Sequence, residues 1–366
     1  MTGCRDYISL SRRSRFAHSV VLDATLAQEI SRLFDPATYL SLALLFGIAA
    51  QFGSMGGYAT MRMIIAKVEG RVGILGAVVT VTAVFSPLIL NDVVVLILTP
   101  VIAAYSKERN ADVAPLLVAE VTFVNLASSL TPFGNPQNIL LWQTTGISAA
   151  AFVAGTSLPL ALSAIVTLPL LYVLGRRSGR EKRDPVEPAS VLPAAYLALV
   201  ASAVFLSSVL GMSGVVGLGV AFALGFVFNL RSLSGLSAFD LKSLLVLYVF
   251  VASSTLGSVF LGPTLGGFAA AAASGTQPFS ALFVGALSNV VSNVPATQLV
   301  LSLAQVPPDV APKIAVEAGL AGNIDPIASF ANILAILLVR RAGLPVKRAI
   351  ALQAAIALVS FLPALL

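Results

Sequence analysis

The sequence predicts an all-α, polytopic membrane protein built of two inverted repeats, each with a re-entrant hairpin and a broken helix. Three observations predict it. First, 57% of the 366 residues are hydrophobic, 10% are charged and the mean hydropathy is +0.94, whereas a soluble domain carries roughly 25% charged residues. A chain of this length cannot hide so much apolar surface from water, which excludes a cytosolic globular protein and a disordered chain. Second, the apolar residues come in runs of about 20 with no alternating ~10-residue strands, which excludes a barrel. Third, several runs are too short to cross a ~30 Å hydrocarbon core and are interrupted by polar residues at matching places in two halves.

Residues 1–36 are polar and Arg-rich, with a weakly amphipathic stretch near Phe16–Leu33. They lack the long apolar core of a signal peptide and read as a tail or an interfacial helix. Cys4 and His18, both in this tail, are the only cysteine and histidine. This leaves no disulfide within the chain, no thiol metal site and no histidine-based catalysis or zinc site in the membrane.

The apolar runs fall at about 37–56, 72–90, 93–105, 113–131, 138–146, 150–174, 191–210, 213–230, 243–261, 278–291, 294–305, 311–323, 327–339 and 349–366. Polar tips, Asn91-Asp92 and Ser292-Asn293, divide two pairs of short runs, and a second type of break falls at 131–138 and 323–329. Taking the tip-bearing pairs as hairpins gathers 16 of the 22 basic residues on one face, from Arg62, Lys67 and Arg71 through the 176–183 cluster to Arg340, Arg341, Lys347 and Arg348. By the positive-inside rule that face is cytoplasmic. The net charge of +6 is this bias and not a nucleic-acid surface. The layout is a tail (1–36), a first inverted repeat (37–175), a cytoplasmic linker (176–190), connecting scaffold helices (191–242) and a second inverted repeat (243–366).

The repeat leaves a trace in the residues. Residues 128–140 align without gaps on 322–334, pairing Thr131 with Asp325, Pro132 with Pro326, Asn135 with Ser329 and Asn138 with Asn332. At the tips, Asn91-Asp92-Val93 is matched to Ser292-Asn293-Val294.

An unpaired backbone group in hydrocarbon is costly, so a break at mid-membrane lines a polar cavity or is buried in protein. Half-helix N-termini after Asp92, Pro136, Asn293 and Asp325 offer free N–H groups and positive dipole ends to an anion, and the opposing carbonyl ends suit a cation. Asn91, Asn125, Asn135, Gln137, Asn138, Asn293, Asn323 and Asn332 cluster at the breaks and can donate or accept. Asn289 reads as packing within its hairpin. Asp92 and Asp325 read as coupling-ion residues or as caps of half-helices. Glu120, deep in its run, reads as a proton carrier, and Glu317 as interfacial. No arginine falls in a break, which argues against a bidentate clamp on the solute.

The stretches NDVVVLILTPVI, SLTPFGNPQNILLW and LSNVVSNVPATQLVLS resemble the ion transporter superfamily, which includes arsenite permeases, NhaD-type sodium/proton antiporters, citrate transporters and divalent-anion:sodium symporters. They are most similar to the small YbiR-type anion permeases. The resemblance covers about residues 37–366. It implies inverted repeats with hairpins and broken helices, a homodimer, and a scaffold to which 191–230 belongs. It carries solute and sodium binding onto Ser292 and Asn293 best. Asp92 and Asp325 depart from the pattern by adding charge.

Together these readings lead to a secondary transporter of a small inorganic or organic anion, coupled to sodium or protons and working by alternating access in the plasma (cytoplasmic) membrane. The alternatives are a sodium/proton antiporter and an arsenite efflux permease. The expected site comprises Asn91, Asp92, Thr131, Asn135, Asn138, Ser292, Asn293, Asn323, Asp325, Ser329 and Asn332, with sodium at Asp92 or Asp325. No cofactor, nucleic acid or other metal is expected. A channel lacks its filter repeat. An intramembrane aspartyl protease lacks its sequence context, and GSMGG at 53–57 lacks the Lys-Ser/Thr of a phosphate loop.

Overall fold

The computed structural model describes residues 36–175, 190–228 and 241–366. The tail with its Phe16–Leu33 stretch, nearly all of the 176–190 linker, and Arg231 lie outside the described residues. Among those described, the chain is helical with no strand. The helices are α1 (Pro36–Ser54), α2 (Gly57–Phe85), α3 (Asn91–Glu108), α4 (Val113–Ser128), α5 (Pro136–Thr145), α6 (Ala149–Gly175) and α7 (Leu192–Val209). They continue with α8 (Gly214–Phe228), α9 (Leu241–Ala273), α10 (Phe279–Val291), α11 (Asn293–Leu303), α12 (Ala311–Ala321), α13 (Phe330–Arg341) and α14 (Lys347–Phe361), ending in a 3₁₀ turn.

By length and composition, four helical stretches among the described residues can cross a membrane: Gly57–Phe85, Ala149–Gly175, Leu192–Val209 and Lys347–Leu365. Shorter helices flank the two breaks and sit among them. Every residue of α4 is buried, and so is every residue of α12 except Lys313. Each is mostly apolar on all sides, as a helix enclosed by other helices must be, and carries a few buried polar residues such as Glu120, Asn125 and Glu317. α4 packs against α2, α3, α6, α12, α13 and α14. The outer face of α6 instead exposes Leu158, Ile165 and Val173, a surface suited to lipid.

α1, α7 and α8 are stitched together by one buried amide. Gln51 Nε2 donates to the Phe222 carbonyl at 3.0 Å, and Tyr196 Oη donates to Gln51 Oε1. Gly225 makes the room, since a Cβ there would lie 2.2 Å from Gln51 Oε1.

The structure corrects two boundaries. Arg62, Lys67 and Arg71, placed in a loop by their charge, lie in α2, which is helical from Gly57 and broken at Gly73 (φ 73°, ψ 171°). Only glycine adopts that conformation without steric cost. The apolar run at 243–261 continues to Ala273 in α9, through small residues that hydropathy alone does not separate from a loop.

Candidate functional site

The two breaks are built by the same bonds. In the first, between α4 and α5, Asn138 Nδ2 donates to the carbonyls of Ser128 (3.1 Å) and Thr131 (2.8 Å). In the second, between α12 and α13, Asn332 Nδ2 donates to the carbonyls of Gly322 (2.6 Å) and Asp325 (3.4 Å). These are the partners that the ungapped alignment pairs. The backbone agrees: Asn135 (φ −145°, ψ 141°) and Ser329 (φ −128°, ψ 134°) each precede the first residue of a half-helix in extended conformation. Asparagine and serine suit such a position because they favour the N-cap. Pro136 opens α5 at the position where its missing N–H is harmless.

Each polar tip is tied to a break by a backbone bond. The Asn91 N–H donates to the Gly134 carbonyl at 2.8 Å, and the Asn293 N–H to the Ala328 carbonyl at 3.2 Å. Both asparagine side chains fold over the next peptide: Asn91 Oδ1 accepts from the Asp92 N–H, and Asn293 Oδ1 from the Val294 N–H, each at 2.9 Å. Asn91 therefore corresponds to Asn293, and Asp92 to Val294. The tip alignment of Asn91 with Ser292 is wrong by one residue. The helix start decides the register: Ser292 (φ 73°) is the last non-helical residue before α11, in the place of Leu90 before α3. The corrected register also aligns Ser86 with Ser288, both buried and both with an unpartnered hydroxyl.

The half-helix starts need a second correction. α13 begins at Phe330, not after Asp325. Asp325 is only half-buried, and its Oδ1 accepts from the Ile327 N–H at 2.7 Å, capping the turn. α3 begins at Asn91, so Asp92 lies inside its first turn, where a carboxylate interacts favourably with the dipole. The two halves also meet crosswise, since α5 packs on α11 and α13 packs on α3.

The expected site residues separate by what they touch. Thr131 Oγ1 donates to the Pro87 carbonyl at 2.6 Å, tying the first break to the turn before α3. Ser292 Oγ contacts Asn293 Oδ1 at 3.3 Å. Asn125, on α4, reaches into the second break: its Nδ2 donates to Asn323 Oδ1 (3.1 Å) and Asn332 Oδ1 (3.0 Å), and its Oδ1 accepts from Ser329 Oγ (2.8 Å). In the first break Asn135 Oδ1 caps the Gln137 N–H at 3.4 Å. Buried polar atoms without a partner among the described residues are Asp92 Oδ1, Asn135 Nδ2, Asn138 Oδ1 and both amide atoms of Gln137.

Glu120 is wholly buried; one oxygen accepts from Thr99 Oγ1 at 2.8 Å and the other has no partner among the described residues. Glu317, read as interfacial, is buried and takes bonds from Gln277 Nε2 (2.5 Å) and Ser280 Oγ (2.8 Å), which fasten α12 to the start of α10. Asn289 Nδ2 donates to the Gly285 carbonyl of its own helix at 2.8 Å and to the Ala321 carbonyl of α12 at 3.5 Å. Trp142 packs edge-on to Phe133 (5.3 Å between centroids), which meets Phe205 of α7.

Sequence reasoning missed Thr99 and Thr297. Thr297 is buried with an unpartnered hydroxyl, one helical turn beyond Asn293. Its four-residue spacing from the tip is the signal that could have found it. Among the described residues, no three His, Cys, Asp or Glu side chains gather into a metal cluster.

Comparison with known proteins gives this arrangement a family. Residues 14–330 match the family described as "CitMHS: Citrate transporter". The chain is 40% identical over 93 residues to the inner membrane protein YbiR of Escherichia coli (25% of each chain). It is 35% identical over 94 residues to a silicon efflux transporter of Oryza sativa subsp. japonica (26% of this chain, 19% of that one). It is 28% identical over 157 residues to the P protein of Mus musculus (40% of this chain, 19% of that one). The matched segments thus span a quarter or less of these relatives. The family and the rice relative are transporters, not enzymes. With its broken helices and long apolar spans, the chain is a multi-pass membrane protein that belongs to the citrate transporter family of the ion transporter superfamily.

Proposed function

We propose that this protein is a secondary transporter of a small inorganic or organic anion, coupled to sodium or protons. The observation that carries this reading is the pair of tip-to-break bonds, Asn91 to Gly134 and Asn293 to Ala328. They hold half-helix N-termini against buried asparagines in both halves. Such ends present N–H groups to an anion and amide oxygens to a cation. In this reading the halves are inverted repeats whose hairpins enter from opposite faces. They rock against the α1, α7 and α8 scaffold to expose the site alternately. The protein works as a homodimer in the plasma membrane, with the 176–190 linker cytoplasmic.

A second reading is sodium/proton antiport, favoured by the unpartnered Asp92 oxygen and by the buried Glu120. Efflux of a neutral hydroxylated oxide such as arsenite is a third, supported by the likeness to a silicon efflux transporter.

The test is charge movement across proteoliposomes on a solid-supported membrane. Arsenite, phosphate, sulfate, succinate and citrate are each jumped with and without sodium and a pH step, and a pH-sensitive dye follows electroneutral exchange. A signal that needs one anion and is lost in Gln137→Ala supports the anion reading. A signal from sodium or pH alone, lost in Asp92→Asn, transfers the assignment to the antiporter. No signal by either method, with folded protein, overturns the transporter reading for these solutes.

A further inference from the structure

The two breaks share a backbone but not a content. At each of the following positions, where the first break carries an unpartnered polar side chain, the second carries either an apolar residue or a satisfied one. Asp92 corresponds to Val294 and Gln137 to Ala331. Asn135 corresponds to Ser329, whose hydroxyl is bonded to Asn125, and Asn138 to Asn332, whose Oδ1 is likewise bonded to Asn125. On the second side, Asn323 Nδ2 and the Thr297 hydroxyl of α11 remain unpartnered among the described residues.

The satisfied atoms of the second break trace to one difference between the two central helices. Asn125 on α4 corresponds to Gly319 on α12. Gly319 can have no side chain: a Cβ there would lie 1.8 Å from Ser129 Oγ. Gly322, in turn, leaves the room that the Asn125 amide occupies, since a Cβ at 322 would lie 3.0 Å from Asn125 Nδ2. The corresponding residue in the first break is Ser128, which keeps its side chain. The crossing of α4 and α12 thus admits one amide, and it points into the second break. All three of its hydrogen-bonding contacts there are made.

Resting on the transporter reading, we propose that Asn125 closes the second break as a fixed seam, so that the protein has one ligand-binding break instead of two. The Asn125 Nδ2 group takes the place of a cation between the Asn323 and Asn332 oxygens. The first break, with Asp92, Asn135, Gln137 and Asn138, is the one that binds. Gln137 is fully buried with neither amide atom paired among the described residues, and such a group costs about 1–3 kcal/mol unless something bonds to it. The oxygens of Asp92, Asn138 and Gln137 suit a hard monovalent cation. The amide nitrogens of Asn135 and Gln137 suit an anionic oxygen beside it.

The corresponding positions Gln137 and Ala331 allow a direct test. In a Cys4→Ser background, Gln137→Cys and Ala331→Cys proteins are reconstituted and exposed to a small charged thiol reagent, and modification is followed by mass. The expected result is modification of Gln137→Cys at least about tenfold faster than of Ala331→Cys. Adding Asn125→Ala then brings position 331 within about threefold of position 137 and leaves the rate at 137 unchanged. Should Asn125→Ala not fold, Asn125→Ser makes the same comparison. Equal rates with Asn125 present, or an unreactive Ala331→Cys after its removal, overturn the proposal. Equal rates, where the Cys4→Ser parent carries solute current, overturn this inference alone, whereas the absence of any current in that parent strikes at the transporter reading and leaves the labelling contrast to be read by itself.

Discussion

Glu120 accepts a 2.8 Å hydrogen bond from Thr99 through one carboxylate oxygen, and the other oxygen meets no partner among the described residues. The charged groups on the helices packed around it are Arg62, Lys67, Glu69 and Arg71 on α2, Asp92, Lys107 and Glu108 on α3, Lys313 and Glu317 on α12, Arg340 and Arg341 on α13, and Lys347 and Arg348 on α14. A carboxyl group so placed is suited to carrying a proton. Glu120→Gln keeps the Thr99 bond and the volume. The expected outcome is a stable protein whose solute flux no longer responds to a pH gradient, measured in proteoliposomes. An unchanged pH response would remove Glu120 from the coupling path.

Gly134 lies against the Ser128 carbonyl, where a Cβ would come within 2.2 Å of the oxygen. That atom belongs to backbone and cannot swing aside. Gly134→Ala is expected to destabilise the folded protein by about 1–3 kcal/mol and to break the Asn91 contact. The checks are thermal unfolding in detergent and transport by the folded fraction. Ala328→Gly, at the corresponding place, adds no clash and should leave transport intact.

Two ion pairs at the basic ends of α2 and α3 should behave differently. Arg109 and Glu69 have side chains only 13% and 9% exposed, and Tyr105 Oη also donates to Glu69 at 2.6 Å. Glu69→Ala removes the carboxylate from a largely buried guanidinium and from the Tyr105 hydroxyl, at a cost of up to ~3 kcal/mol. Arg62 and Glu108 are each 44% exposed, and Glu108→Ala should cost less than about 1 kcal/mol. Chemical or thermal melts of the two variants in one detergent decide this; equal losses would contradict the burial argument.

Tyr196→Phe leaves Gln51 Oε1 without its hydroxyl donor in the interior of α1, α7 and α8. The expected loss is about 1–3 kcal/mol of stability with solute affinity unchanged, because the site lies elsewhere. A shift in affinity at constant stability would tie this seam to the transport cycle.

A Ser178→Cys substitution in the Cys4→Ser background should react with an impermeant thiol reagent only from the cytoplasmic side. Reaction from outside would invert the topology.

The sequence alone determined the class of the fold and the places where its helices break. Composition demanded a lipid-embedded helical chain, and Pro136, Asn138, Asn332 and the tip asparagines marked the irregular backbone, because these residues are local signals of caps and turns. The alignment of 128–140 on 322–334 held bond for bond, since Asn138 and Asn332 reach carbonyls on their own segment. The start of α13 and the tip register were not legible. Both depend on which residue first takes helical geometry, and Asp-Pro at 325–326 imitates a helix start that the chain delays to Phe330. Charge marked Asp92 and Asp325 alike, yet only Asp92 is buried with an unpartnered oxygen. That difference arises from packing between segments far apart in the chain. So does the role of Asn125: in sequence it is one polar residue in an apolar run, and only the crossing of α4 with Gly319 and Gly322 of the second half turns its amide into that break's fastening. Local hydrogen bonds are written in neighbouring residues; the choice between two similar sites is made where distant helices compete for the same space.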